Sequence, residues 1–233
     1  METIGHIDDL PGLTDTAIHL WGVHVSGVQD RLEAWHSLLC EKERAKAARF
    51  HRASDRCSSI AARGALRILL SAYTGMRAAE IVFEYSENGK PHVAESAVRF
   101  NVSHSGDWVL LAFGLNRDIG VDIERIRPEM DVMSIASRYF TPGESGWIES
   151  AENRPAAFFH FWSRKEAYVK ATGSGLFREL SSFAVPFDDV EKDGWFFQRL
   201  EAGPEYAAAV VTNRPVESLR CFDFGASPCW LGV

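Results

Sequence analysis

The chain has 233 residues, 46% of them hydrophobic and 24% charged, with a formal net charge of −7. This is ordinary globular composition, long enough for one large domain or two small ones, and no apolar run is long enough to span a bilayer. The acidic balance excludes a general nucleic-acid binder, whose affinity comes from neutralising phosphates.

Taken in chain order, residues 18–25 read as a first strand and residues 32–52 as mostly helical. Asp55 is placed to cap a longer helix that runs to about Tyr73 and stops at Gly75. A strand is expected at 81–85, then a turn at Asn88-Gly89-Lys90-Pro91. Strands follow near 98–102, 108–114 and 119–124. Arg127-Pro128 opens a connection into a helix near 132–140. Thr141-Pro142-Gly143-Glu144 carries an N-terminal signal, with Thr as cap, Pro at the first position and Glu at the third, for a helix to about 151. A long helix over 155–172 closes at Gly173. Strands are expected at 182–186, 194–200, 206–212 and 218–224. Each half thus runs strand, helices, strands, with a join near 115–118. Periodicity alone says mixed α and β.

Charge is unevenly spread. Lys42, Arg44, Lys46, Arg49, Arg52, Arg56, Arg63 and Arg67 fall in one helical region opposed only by Glu43 and Asp55. A basic patch on an acidic protein suits a phosphate-bearing ligand or an acidic protein partner, and is equally the pattern of a solvated helix face. Cys40, Cys57, Cys221 and Cys229 form no C-x-x-C pair, and residues 1–9, with Glu2, Asp8 and Asp9, lack the basic start of a secretory signal. Reduced thiols and a cytoplasmic location are expected.

Three segments carry chemistry. In Ile119-Gly120-Val121-Asp122-Ile123-Glu124, β-branched residues alternate with the rest, the signature of a strand. Asp122 and Glu124 then share one face, roughly 6.5–7 Å apart along the backbone. Two close carboxylates repel unless a cation or a proton lies between them, and a hard cation such as Mg²⁺ takes oxygen ligands. Gly120, on the same face, leaves room for close approach. A solvated strand face has the same pattern. In the long helix, Glu166 and Lys170 are an i,i+4 pair on one face, with Lys165 about 100° around the helix. An exposed Glu–Lys pair is common, but this one stands beside Phe158, Phe159, Phe161 and Trp162, where charges are usually paired or bound to metal. Asn101-Val102-Ser103-His104-Ser105-Gly106 reads as a turn after a short strand, whose Ser-His pair suits phosphate oxygens or a satisfied turn histidine.

In this order and spacing the segments resemble the Sfp-type (surfactin-type) 4′-phosphopantetheinyl transferases. That family shows a GKP-like turn, N-x-S-H-S, G-[IV]-D-x-E and W-x-x-K-E-A-x-x-K-x-x-G-x-G, matched here by Gly89–Pro91, Asn101–Ser105, Gly120–Glu124 and Trp162–Gly175. The resemblance runs from about Glu41 to the C-terminal strands. It implies an α+β fold of two pseudo-symmetric α/β halves with the active site at their interface, an N-terminal half over 1–116 and a C-terminal half over 117–233, and a monomer. It implies Mg²⁺, or Mn²⁺, held by Asp122, Glu124 and Glu166, with coenzyme A as co-substrate. Glu166 would take part in deprotonating the incoming serine. Lys165 and Lys170 would contact the coenzyme A phosphates and the developing charge, and Lys90, Ser103 and His104 would contact coenzyme A. Lys46 and Arg49, with Arg44, are candidates for coenzyme A or for an acidic carrier helix. One position departs from the family: Ser58 stands where an Arg that reaches coenzyme A is expected, with Arg56 as a substitute.

The activity implied is transfer of 4′-phosphopantetheine from coenzyme A to a serine of an apo acyl, peptidyl or other carrier protein, with no nucleic-acid or membrane partner. The alternative is a metal-dependent phosphohydrolase of a nucleotide diphosphate, which the absence of an R-E-x-x-E-E cluster disfavours. A silent coenzyme A-binding module would lack one of the carboxylates, and a serine hydrolase would need a G-x-S-x-G elbow, which is absent.

Overall fold

The computed structural model describes residues 10–175 and 179–224; residues 1–9 and Cys229 lie outside these. Two halves follow one another, each built as a strand, then helices, then further strands. The first contains β1 (Ala17–His24), α1 (Leu32–Leu38), α2 (Glu41–Ala48), α3 (Ala53–Thr74), a small hairpin of β2 (Phe83–Tyr85) and β3 (Pro91–Val93), then β4 (Val98–Ser105) and β5 (Trp108–Leu115). The second contains β6 (Ile119–Arg125), α4 (Val132–Tyr139), α5 (Pro142–Ser150), α6 (Arg154–Thr172), β7 (Glu191–Lys192), β8 (Trp195–Leu200), β9 (Tyr206–Thr212) and β10 (Ser218–Asp223).

The strand orders repeat. The first sheet runs β10-β1-β5-β4 and the second β6-β9-β8-β7. β1 pairs antiparallel with β5 and β5 with β4, and in the same way β6 pairs antiparallel with β9 and β9 with β8. This is the expected pseudo-symmetric α+β architecture. β10 returns to the first half and pairs parallel with β1, Ile18 opposite Leu219 and Gly22 opposite Asp223. Sheet membership and chain order therefore part at the last strand.

Three apolar clusters stack the molecule into four layers, helix, sheet, sheet, helix. Leu66, Leu69 and Leu70 of α3 pack on Trp21, Val109, Leu111 and Phe113 of the first sheet. Ile18, Leu20, Leu110 and Ala112 face Ile119, Val121, Ile123 and Val210 between the sheets. Phe158, Phe161, Ala167 and Ala171 of α6 pack on Phe197, Ala209 and Val211 of the second sheet. The alternation in β6 is thus resolved: its β-branched residues fill the seam between sheets, and Gly120, Asp122 and Glu124 face the other way, toward α6. A Cβ on Gly120 would lie 2.0 Å from the Ala167 carbonyl oxygen and 2.4 Å from the Ala171 nitrogen, so only glycine lets α6 come this close.

α6 starts at Asn153, whose Oδ1 accepts from Ala156 N at 3.0 Å, and ends at Gly173, left-handed at φ 66°. Thr141 and Glu144 form the expected capping box of α5, with Pro142 at its start. Four expectations need correction. The helical stretch 32–52 is broken at Leu39, which is extended, because Cys40 starts a new helix in a capping box with Glu43. Asp55 does not cap α3. The cap position is Arg52, and Asp55 sits in the first turn, where its charge opposes the helix dipole favourably. Ser103, His104 and Ser105 lie in β4 itself, not in a turn. No strand forms at 182–186: the Leu180 and Phe183 carbonyls accept from Lys165 Nζ and the Val185 amide donates to Glu144 Oε1, so buried side chains replace a strand partner.

Candidate active site

β6 and α6 meet over Gly120, and just beyond it Asp122 lies 3% exposed beneath the last turns of α6. Asp122 Oδ1 accepts from Lys170 Nζ at 2.6 Å and from Ser103 Oγ at 2.7 Å. Lys170 Nζ also donates to Ser103 Oγ at 3.0 Å and the Val121 carbonyl at 3.3 Å, and its side chain remains 27% exposed. One carboxylate thus draws together β4 of the first half and β6 and α6 of the second.

Glu124 and Glu166 flank it, both half-buried. Glu124 Oε2 accepts from Ser105 Oγ at 3.0 Å. Burial first, and the Asp122 charge second, push the Glu124 carboxyl up to about 7. The same two causes, in the same order, raise Glu166, with Lys170 opposing them. These are the signs of two carboxyls that each feel the Asp122 charge in a poorly hydrated place. Asp122 Oδ2 is buried with no hydrogen-bond partner.

The donor set, all carboxylate oxygen, has the chemistry of a site for a hard divalent cation, and the unpartnered Oδ2 fits that reading. The rotamers do not close a ligand shell. Among the described residues no group of three or more His, Cys, Asp or Glu side chains is arranged to hold a metal ion. Here Asp122 is neutralised by the Lys170 ammonium.

Of the other residues singled out in the sequence, His104 is exposed on β4. Its ring is held below the ordinary imidazole value by the surrounding protein, then by the charges of Lys170 and Lys46, while Asp122 and Asp55 pull the other way. That coupling places Lys46 and the start of α3 on the same side as the carboxylates. Arg49, at the end of α2, is exposed, as are Arg44 and Arg56. No described contact brings Arg49 to Asp122.

Two lysines lie elsewhere than expected. Lys165 is fully buried. Its Nζ donates to the Leu180 and Phe183 carbonyls, pairs with Glu144 Oε2 at 2.9 Å and sits over the Phe183 ring. It leaves α6 about 100° around from Glu166, and its described contacts are with Glu144 and the 180–183 loop. Lys90 is half-buried, and its Nζ donates to the Ile119 and Ala171 carbonyls, both at 3.0 Å. Burial lowers it to about 8. With Asn88, whose Nδ2 donates to the Gly173 carbonyl at 2.8 Å, it satisfies carbonyls at the end of α6 from the other half of the chain. The Asn88-Gly89-Lys90 turn is therefore a clamp on α6.

Sequence reasoning passed over Asn101 and Ser105. Asn101 Oδ1 accepts from Val121 N at 2.9 Å, and Ser105 Oγ from Arg125 N at 3.0 Å. The signal was present as a polar residue at every second position, 101, 103 and 105, once the segment is read as strand instead of turn.

Comparison with known proteins gives a consistent result. Residues 118–214 match the model of the 4′-phosphopantetheinyl transferase superfamily, and residues 26–115 that of the 4′-phosphopantetheinyl transferase N-terminal domain. The chain is 33% identical over 225 residues to the 4′-phosphopantetheinyl transferase psf-1 of Bacillus pumilus, covering 88% of this chain and 94% of that protein. It is 37% identical over 174 residues to the transferase HetI of Nostoc sp., covering 71% and 73%. It is 29% identical over 202 residues to Sfp of Bacillus subtilis, covering 80% and 88%.

Proposed function

From membership of the 4′-phosphopantetheinyl transferase superfamily, to which this chain belongs in its Sfp-type branch, we infer that it transfers 4′-phosphopantetheine from coenzyme A to a serine hydroxyl of an apo carrier protein, releasing adenosine 3′,5′-bisphosphate. The observation that carries the reading of this site is the Asp122 carboxylate, shared by Lys170 and Ser103 through one oxygen and unpartnered at the other, with Glu124 and Glu166 beside it.

In this reading Asp122, Glu124 and Glu166 would hold a Mg²⁺ ion. Once bound, the ion would supply charge neutralisation to the diphosphate. Glu166 accepts the serine proton. The serine oxygen forms a bond to the phosphorus bearing pantetheine as the bond from that phosphorus to the bridging oxygen breaks. Lys170, within reach of the same face, stabilises the non-bridging oxygens and the departing bisphosphate. Its side chain is 27% exposed, so in this reading it exchanges part of its bonding to Asp122 for the phosphate. Lys46, coupled to His104, offers a cation for the coenzyme A phosphates, and the exposed Arg44 and Arg49 extend that basic surface.

The test is to incubate the protein with coenzyme A, Mg²⁺ and a panel of apo acyl and peptidyl carrier proteins and record intact carrier mass. A gain of one phosphopantetheine group, abolished by EDTA, is expected. Release of free phosphopantetheine with no modified carrier would instead identify a hydrolase and overturn the assignment.

A further inference from the structure

β6 is an edge strand of the second sheet, bonded to β9 on one side only. Alternate amides of such an edge point outward and need partners. Three of them, Val121, Ile123 and Arg125, find one in a side chain of β4. Asn101 Oδ1 accepts from Val121 N at 2.9 Å, Ser103 Oγ from Ile123 N at 3.4 Å, and Ser105 Oγ from Arg125 N at 3.0 Å. The offset is twenty residues at every rung, so β4 and β6 run side by side in the same direction. β4 stands in for a neighbouring strand, with side-chain oxygens in place of backbone carbonyls.

The serine rungs share a second feature. Ser103 Oγ donates to Asp122 Oδ1 at 2.7 Å, and Ser105 Oγ donates to Glu124 Oε2 at 3.0 Å. A hydroxyl has one proton and two acceptor sites. Each serine therefore accepts the amide that follows a carboxylate and spends its only proton on that carboxylate. The Asn101 rung stands opposite Gly120, where there is no carboxylate and α6 packs against the backbone instead.

We propose that Asn101, Ser103 and Ser105 are positioning residues, a side-chain ladder that splices the two half-sheets and fixes one oxygen each of Asp122 and Glu124, leaving the other oxygen of each to face the site. The proposal rests on the assignment of Asp122 and Glu124 as cation ligands for its functional consequence, and on the geometry alone for the ladder. Partners that orient ligands in this way change metal affinity by roughly 10–100-fold when removed.

The experiment uses Ser105→Ala, at the strand end where little packing is lost, and Ser105→Thr, which restores the hydroxyl. Amide hydrogen exchange reports the ladder without any metal. Mn²⁺ binding, followed by the electron paramagnetic resonance of the free ion, reports the carboxylates without turnover. Ser105→Ala should lose protection at Arg125, with Val121 retained, and weaken Mn²⁺ about tenfold or more, and Ser105→Thr should recover both. Unchanged protection at Arg125 would overturn the ladder, and lost protection with unchanged Mn²⁺ affinity would overturn the positioning role. A wild-type protein that binds no Mn²⁺ would overturn the cation-site reading instead, and amide exchange alone would then decide the ladder.

Discussion

Replacing Lys165 with Met separates two roles that one lysine in the W-x-x-K-E motif could have. In the structure its ammonium is 0% exposed and pairs with Glu144, itself 5% exposed, at 2.9 Å. Glu144 is more than a partner. Its Oε2 also accepts from Thr141 N and Thr141 Oγ1, capping α5, and its Oε1 accepts from Val185 N. Removing Lys165 leaves a buried carboxylate charge and two carbonyls, Leu180 and Phe183, without their donor. Breaking a buried pair on one side costs about 3–5 kcal/mol. For a chain of this length each kcal/mol lowers the melting temperature by roughly 2–4 °C, so a fall of ~6–20 °C is expected by calorimetry. The double variant Lys165→Met with Glu144→Gln should lose less than the sum of the two single variants, because the pair is lost together. Coenzyme A affinity of the folded fraction, measured by titration calorimetry, should be unchanged. A melting temperature within a degree or two of wild type, with coenzyme A binding weakened tenfold or more, would refute the burial argument and return Lys165 to the phosphates.

Three further outcomes follow from the site. Glu166→Gln should lower the first-order transfer rate by roughly 10²–10⁴-fold with the melting temperature nearly kept, and full activity would remove Glu166 as the base. Glu124 is held up to about 7 against an ordinary 4.5. Its folded value lies above the unfolded one, so the stability it confers is complete below about 4.5 and lost as pH rises through about 7, on the order of 3 kcal/mol in all. A cation must displace that proton, so the gain in melting temperature on adding Mg²⁺ should be larger at pH 8 than at pH 6, and Glu124→Gln should flatten the difference. An equal gain at both pH values would refute it. Gly120→Ala would place a Cβ 2.0 Å from the Ala167 carbonyl oxygen, so α6 must move off β6. Transfer activity and stability should fall together, and an active variant of normal stability would show that the helix does not need that close approach.

The architecture was legible where a local pattern determines it. Thr141-Pro142 and Glu144 announce the start of α5, Gly173 the end of α6, and the alternation of 119–124 a strand with its acids on one face. The shared strand face of Asp122 and Glu124 and the shared helix face of Glu166 and Lys170 were legible as well, from the strand and helix periods. What stayed hidden depends on partners far away in the chain. Nothing near Lys165 says that Leu180 and Phe183 will supply carbonyls to it, and nothing near Ser103 says that its proton will go to Asp122.

The same distinction explains why positive charge was a poor guide here and hydrogen-bonding capacity a better one. Lys90, Lys165 and Lys170 look alike in sequence, and each has three protons to give. Lys90 gives two of them to carbonyls 29 and 81 residues away, from Ile119 and Ala171, and so ties the first half to the end of α6. Lys165 gives its own to the loop that follows α6 and to Glu144. Lys170 gives its own to Asp122, Ser103 and the Val121 carbonyl, yet its side chain stays 27% exposed. A site placed between two halves of one chain has two requirements: groups that meet the substrate, and groups that hold the halves in register. Gly120, Lys90 and the 101–103–105 ladder meet the second around Asp122, so a motif shared across a family can mark a stitch as readily as a ligand. In the proposed function Asp122 belongs to both sets, since it accepts from the ladder through Oδ1 and leaves Oδ2 without a partner.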